Sequence, residues 1–334
     1  MATILSGIKP TGIPTLGNYL GALKNFVKLQ NERVDDKFIF FIADLHAITI
    51  PQDPKELRAN IKSLAAIYLA CGLNKENLTL FIQSEVHEHA EMGYIMQSLA
   101  YMGEMERMTQ FKEKARKQES GVTSALFTYP ALMAADILLY NSDLIPVGED
   151  QLQHLELTRD LAIRFNNRYS DTFTVPNGLV TKVGARIMDL QNPLKKMSKS
   201  EDPGDKGCIF LLDPIDLIKK KIKSAVTDND ASVHYDKETK PGISNLMTIY
   251  SCITGDDFKA IEAKYKGVGY GQFKADLAEI VAKEIGEIQA RYNALINSQE
   301  LDDILDKGRD EASYLARKQL SKVYRKIGLG RNRK

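Results

Sequence analysis

The chain has no tryptophan and little cysteine: three residues, Cys71, Cys208 and Cys252, far apart and odd in number. That spacing excludes a disulfide framework and a cysteine metal site, and it predicts a reducing compartment. Neither sign of charge is in excess. Lys and Arg number 45 against 44 Asp and Glu, for a formal net charge of +1. A nucleic-acid surface must then be a local patch, because the overall balance supplies none. No stretch reaches the roughly 20 apolar residues of a membrane span. The stretch from Met1 to Gly7 has no basic n-region and no long apolar run, so it reads as a strand and not as a signal peptide. The expected location is cytoplasmic, with no membrane partner. There is no internal repeat and no low-complexity segment. What remains is ordinary globular material, 43% hydrophobic and 27% charged over 334 residues. That is enough for one large domain or two ordinary ones.

The first half alternates strand and helix signals. Thr3–Leu5, Lys37–Asp44, Leu78–Ser84 and Asp143–Gly148 are short apolar runs, and the second is apolar without interruption, as in a strand covered on both faces. Between them Leu57, Ile61, Leu64 and Tyr68 recur at helical spacing behind Asp53-Pro54, an N-terminal helix signal. Strands separated by helices predict an α/β fold with a Rossmann-like parallel sheet, whose ligands bind beyond the carboxyl ends of the strands. Asp44, His46, Ser84 and Gly148 all fall at such ends. After about residue 190 the strand signals fade. A helix with a basic face is expected over 213–226, an amphipathic one through Val281, Ile285, Ile288, Tyr292 and Leu295, and a last one over 301–326, bent or broken near Gly308. The expected organisation is a nucleotide-binding domain over 1–191, a smaller helical domain over 192–290, and a C-terminal helix with a basic tail over 291–334.

Four clusters carry chemistry. Lys196-Met197-Ser198-Lys199-Ser200 lies in a polar, breaker-rich stretch that reads as a loop. Two ammonium groups three positions apart, flanked by hydroxyls, suit gripping a polyphosphate as its charge rearranges; an arbitrary K-x-x-K is more often a solvated surface loop. From Leu5 to Tyr19 a strand, a Gly/Pro-rich loop and a helix start follow one another. Amides at a helix start attract phosphate, Gly17 admits close approach of a base or ribose, and Thr15 and Asn18 offer uncharged hydrogen bonds. An ordinary βα loop has the same composition, and no G-K-[ST] closes this one as a Walker loop. Pro146 to His154 ends a strand at Gly148 and opens a helix with Glu149-Asp150, a dipole complement or a recogniser of ribose and ammonium groups. In Tyr129 to Tyr140, Asp136 interrupts an apolar helix, where a buried carboxylate needs a partner. His87 and His89 form an H-x-H with no cysteine nearby, which reads as a surface helix start and not as a metal site. His46 is the one histidine expected in a pocket.

The five residues from Lys196 match the KMSKS signature of class I aminoacyl-tRNA synthetases letter for letter. Thr15-Leu16-Gly17-Asn18 aligns with that class's HIGH position, with Thr15 and Asn18 in place of its histidines. Together with Asp44–Thr49, Glu106–Lys112, Ala225–Asp228 and Lys240–Leu246, in this order and spacing, they make the chain resemble the bacterial tryptophanyl-tRNA synthetases over nearly its whole length. The resemblance implies activation of L-tryptophan by Mg-ATP to the adenylate plus pyrophosphate, then transfer to the terminal ribose of tRNA(Trp). By resemblance Lys196, Lys199 and Lys114 are catalytic cations. The ATP site is implied at Lys9, Pro10, Thr11, Thr15, Gly17, Asn18, Gly148, Glu149, Asp150 and Ile187, with Lys196, Met197, Ser198, Lys199 and Ser200. The tryptophan pocket is implied at Asp136, Gly7, His46, Tyr129, Met133, Val147 and Gln151. Magnesium is expected to ride on ATP, with no metal held by the protein.

The indole N–H is a donor only, so a fixed acceptor at Asp136 suits it. A chain without tryptophan fits an enzyme whose synthesis does not depend on its own product. The resemblance also implies a homodimer, with Tyr94, Met96, Leu99 and Tyr101 on the helices around Met92–Met105 as the candidate surface. Three positions depart from the family pattern: Lys9 for a glutamine, Leu5 for an aromatic and Ala43 for a β-branched residue. Rival readings are a tyrosyl-tRNA synthetase, a non-catalytic nucleotide- or RNA-binding protein on the same fold, and a nucleotidyltransferase without tRNA. The basic stretch from Arg317 to Lys334, eight basic residues and no acidic one, is either a solvated helix end or a phosphate-contacting edge.

Overall fold

The computed structural model describes residues 1–116, 121–148, 151–179, 186–198 and 204–331. Five strands, β1 (Thr3–Ile8), β2 (Lys37–Ile42), β3 (Leu78–Ile82), β4 (Leu144–Pro146) and β5 (Asn177–Leu179), form one parallel sheet in the order β3-β2-β1-β4-β5. Four of them are the apolar runs of the sequence. β5 has no such run: its three residues, Asn-Gly-Leu, include two exposed ones and carry no readable period.

Side chains alternate across the sheet. Ile4, Phe38, Phe40 and Ile42 enter one core with the Pro54–Ala70 helix. Leu5, Ile39, Phe41 and Phe81 enter a second core with the Glu88–Leu99, Ser124–Leu138 and Leu152–Arg168 helices. This two-sided cover is why β2 is apolar throughout. Asp53 caps the Pro54–Ala70 helix by accepting from the amides of Lys55 and Glu56, both at 2.9 Å, with Pro54 in the first turn.

Beyond Leu179 the described residues are mainly helical: Ile215–Lys223, Pro241–Thr254, Phe258–Lys264, Tyr270–Leu295 and Gln299–Ile327. This is the α/β domain with a helical C-terminal part that the sequence implied. The helical part is not a detached body. Leu246, Tyr250, Phe273, Val281 and Ile285 continue the core that starts at Ile4 and Phe38.

Two expectations are corrected. The 213–226 stretch is a shorter helix, Ile215–Lys223, and its lysines do not form one solvated face. Lys221 is buried, with Nζ 2.8 Å from Asp213 Oδ2 and 2.6 Å from the Cys208 carbonyl. The last helix is not broken at Gly308 but runs from Gln299 to Ile327. Glycine is there because the helix lies against edge strand β3: a Cβ would sit 1.8 Å from the Leu80 carbonyl oxygen. Thr79 Oγ1 donates to Glu311 Oε2 at 2.9 Å beside it. The helix thereby covers a strand edge that would otherwise offer unpaired backbone groups.

Because β1 lies between β2 and β4, the winding of the sheet reverses there. A crevice opens beyond the carboxyl ends of the strands at such a switch point.

Candidate active site at the strand ends

The first half of the site is built by the loop after β1. Gly12 takes a left-handed φ of 79°, which turns the chain toward Thr15. Thr15 caps the short Leu16–Asn18 helix: its Oγ1 accepts from the Asn18 amide at 3.2 Å, and Asn18 Oδ1 accepts from the Thr15 amide at 3.0 Å. Thr15 is fully buried, so its hydroxyl serves this cap, while Asn18 stays half-buried. The loop is tied to the segment following the lysine-rich loop, through Leu16 N to Ile209 O at 2.8 Å and Leu211 N to Pro14 O at 2.9 Å.

Ile187 and Met197 close the same edge. Met197 N donates to Ile187 O at 3.1 Å, and Asp189 N to Lys195 O at 2.8 Å. A Cβ on Gly17 would lie 3.5 Å from Met197 Cβ and 3.6 Å from Ile187 Cβ. The structure thus brings Gly17, Ile187 and Met197 into one contact. Asn245, in the Lys240–Leu246 string, grips the Met188 backbone in both directions at 2.9 Å. Cys208 Sγ donates to the Ser198 carbonyl at 3.3 Å, and burial pushes its thiol pKa up to about 12. Lys196 is exposed; Lys9, Thr11 and Ser198 are half-buried, and Pro10 is buried. Lys199 and Ser200 lie outside the described residues, as do Glu149 and Asp150. The carbonyl of Gly148, two residues past β4, accepts from the Gln151 amide at 2.9 Å.

The second half centres on Asp136, which is 1% exposed. Oδ2 is 2.7 Å from His46 Nε2, and Oδ1 is 2.7 Å from both Gln83 Nε2 and His89 Nδ1. Burial alone would raise this carboxyl. The charge interaction and hydrogen bond with His46, and those with His89, outweigh it and hold the pKa below its ordinary value. His89 Nε2 lies 2.8 Å from Tyr140 Oη. Burial, then the charges of Asp136 and Glu88, raise the Tyr140 phenol well above its usual range. Around this core, Tyr129 Oη pairs with His154 Nε2 at 2.8 Å, and the His46 and Tyr129 rings meet edge to face. Lys114 Nζ lies 4.7 Å from the Tyr129 ring centroid. Met133 is half-buried one helical turn before Asp136, and Val147 half-buried at the end of β4. Gly7 is required by contact, since a Cβ would come 2.5 Å from the Phe41 ring.

The two histidines of the H-x-H separate, correcting their reading as a surface pair. Residues two apart on a helix point about 200° apart. His87 faces solvent at 76% side-chain exposure while His89 is wholly buried on Asp136. His46 is therefore not alone in the pocket. Gln83, His89, Tyr140, His154 and Asn245 are the site residues that sequence reasoning missed. The one signal available for His89 was that a buried Asp136 demands donors. Of the candidate dimer surface, Tyr94 and Tyr101 are exposed, but Met96 and Leu99 belong to the second core. Among the described residues, no group of three or more His, Cys, Asp or Glu is placed to hold a metal, and no helix is long and apolar enough to cross a membrane.

Comparison with known proteins agrees with this geometry. The family model for tRNA synthetases class I (W and Y) matches residues 1–285. The tryptophan–tRNA ligase of Bacillus anthracis is 58% identical over 334 residues, covering all of both chains. Among solved structures, the tryptophanyl-tRNA synthetase of Mycoplasma pneumoniae is 38% identical with a TM-score of 0.88, covering 99% of this chain and 98% of its own. That of Campylobacter jejuni, complexed with ADP and tryptophan, is 35% identical with a TM-score of 0.84, covering 98% and 100%. With a family match over most of its length, and a parallel sheet whose strand ends carry both a capped loop and a buried carboxylate, the chain belongs to the class I tRNA synthetases of the tryptophan and tyrosine branch.

Proposed function

We propose that the strand-end site divides the work of a tryptophan–tRNA ligase between its two halves. The activity is that of the full-length relatives: ATP-dependent joining of tryptophan to tRNA(Trp). The residue roles are our reading. The tryptophan carboxylate attacks the α-phosphorus of ATP, the bond to the β-phosphate oxygen breaks, and pyrophosphate leaves. The aminoacyl group then passes to the 2′-hydroxyl of the terminal ribose, releasing AMP. The nucleophile of the first step is already ionised, so no strong protein base is needed. Positioning and charge stabilisation carry the rate.

The loop from Lys9 to Asn18, with Gly17 against Ile187 and Met197, receives ATP. Gly148 and the adjoining Glu149 and Asp150 take the ribose. Lys196 and Lys199 stabilise the departing pyrophosphate, and Lys114, from its place beside Tyr129, adds a third cation. Magnesium arrives with ATP, carried on its phosphates. Gly7, His46, Tyr129, Met133, Val147 and Gln151 shape the tryptophan pocket, and Asp136 accepts the indole N–H.

The observation that carries the substrate assignment is Asp136, a wholly buried carboxylate held ionised at a strand-end site. A substrate without an N–H or O–H there leaves it one partner short. Around this site we place a catalytic unit over 1–191, the KMSKS loop with a helical anticodon-binding unit over 192–290, and a C-terminal helix with a basic tail over 291–334, working as a cytoplasmic homodimer through the face that exposes Tyr94 and Tyr101. Pyrophosphate exchange with each of the twenty amino acids tests the assignment. Exchange with tryptophan alone is expected; exchange with tyrosine instead would move the chain to the other branch of its family.

A further inference from the structure

Asp136 is surrounded by more donors than a simple pocket acceptor needs. A carboxylate offers about four lone-pair positions over two oxygens. Among the described residues three donors reach it: Gln83 and His89 on Oδ1, and His46 on Oδ2. Oδ1 thus has two donors and Oδ2 one. One acceptor position is left for a ligand, and it is on Oδ2, beside His46.

His89 earns its place on Oδ1 through a second contact. It is wholly buried, and each ring nitrogen has one partner, Asp136 at 2.7 Å and Tyr140 Oη at 2.8 Å. Nδ1 faces a carboxylate, so Nδ1 carries a proton. A bare nitrogen there would set lone pair against lone pair. Tyr140 faces the other nitrogen with its hydroxyl, so both edges of the ring are held. The rings of Phe41 and Phe81, each with its centroid 5.7 Å from that of His89, confine the imidazole. Orientation of a functional group by a partner that never meets the ligand is a common arrangement, and removing the partner weakens the site without emptying it.

We infer that Tyr140 and His89 are positioning residues for substrate selection: Tyr140 fixes His89, His89 occupies Oδ1 of Asp136, and the carboxylate is left with a single open acceptor that admits one substrate N–H. This rests on the reading that Asp136 accepts the indole N–H. Neither Tyr140 nor His89 touches the substrate in this scheme. Their loss loosens the acceptor without removing it.

The test compares tryptophan with its analogue bearing sulfur in place of the indole nitrogen, in pyrophosphate exchange by the full chain and by Tyr140→Phe, His89→Leu and His89→Gln. Tyr140→Phe keeps the ring and its packing. His89→Gln keeps an N–H donor for Asp136, and His89→Leu keeps none. The expected result for Tyr140→Phe is a tryptophan KM raised about tenfold, the size of one lost buried hydrogen bond, with kcat and the ATP KM little changed. Preference for tryptophan over the sulfur analogue shrinks by the same factor, shrinks further in His89→Leu, and is largely kept in His89→Gln. If the unmodified chain prefers tryptophan but every variant keeps that preference in full, the inference is overturned. His89 and Tyr140 then serve packing alone, and thermal denaturation would show the loss. If the unmodified chain shows no preference between the two substrates, the Asp136 reading itself fails and the inference falls with it.

Discussion

Asp136 and Lys196 mark the two halves of the site and live in opposite surroundings. Asp136 is 1% exposed, held by three side-chain donors, with its ionised form favoured over burial. Lys196 is exposed, on a short bridge to Met188 beside the wholly buried Met197. The difference matches the work proposed for each half. Choosing a substrate by one N–H needs an acceptor whose direction is set before binding, since a mismatched ligand is rejected only if the acceptor cannot adapt or find water. Stabilising a leaving pyrophosphate needs charge that meets the phosphates as they change, and a hydrated ammonium on a long stem suits that task. On the proposed division of work, fixed polar geometry serves selection, and the exposed Lys196 serves the chemistry.

The largest effect that could break this contrast is in the cation half. Lys199→Ala is expected to slow adenylate formation by about 2–4 kcal/mol of barrier, the range for one preorganised charged donor acting in the transition state. Tryptophan affinity should barely change. Pre-steady-state adenylation with separate measurement of tryptophan binding decides it. A raised tryptophan KM at unchanged kcat would place this lysine on the selecting side.

Next in size is Asp136→Ala, expected to weaken use of tryptophan by about 1–3 kcal/mol, with Asp136→Asn costing less because its carbonyl oxygen still accepts. Here kcat/KM for tryptophan should fall while that for the sulfur analogue falls much less; equal losses would make Asp136 a structural residue. The sign of the pH effect is also fixed. The folded carboxyl sits below its ordinary value, so its contribution is complete above the unfolded pKa and is lost as pH falls through the folded one. Tryptophan binding should therefore persist on acidification to the ordinary aspartate value of about 3.9 and fail only below it. Titration of binding by calorimetry shows whether the loss begins earlier.

Legibility in the sequence follows the same division. Runs such as KFIFFI, apolar because both faces are covered, could be read directly, and so could the Asp53-Pro54 helix start. Loop strings that carry charge or glycine, at 196–200 and 15–18, were legible because their residue types are unusual together. What could not be read was geometry set by a distant element. Gly308 looked like a helix breaker until Leu80 was seen against it. Lys221 looked solvated until Asp213 and the Cys208 carbonyl were found around it. His89 was indistinguishable from His87 because the face each presents depends on helix phase relative to Asp136, 47 residues away. Buried polar partners come from tertiary packing, and no local period encodes them.

The smallest expected effect probes the frame between the two halves. Tyr19 directly follows the capped Leu16–Asn18 helix, and its hydroxyl donates to Glu284 Oε1 at 2.5 Å, across to the Tyr270–Leu295 helix. Lys24 Nζ reaches the same oxygen at 2.9 Å. Burial raises Glu284, but the bonds from Tyr19 and Lys24 win and leave it below its ordinary value. Tyr19→Phe removes one donor and leaves Lys24 in place, so the carboxylate is not orphaned. The expected loss is about 1 kcal/mol of stability, the net worth of one hydrogen bond, read as a lower denaturant midpoint. The informative part is where the kinetic cost falls. Tyr19 borders the loop proposed to receive ATP and is not among the hydrogen-bond partners of Asp136, so the ATP KM should rise about twofold, within the effect of a fraction of one hydrogen bond, while the tryptophan KM stays level. Were both to rise together, the helical part would be steering the selecting half as well, and the two halves of the site could no longer be treated as separate devices.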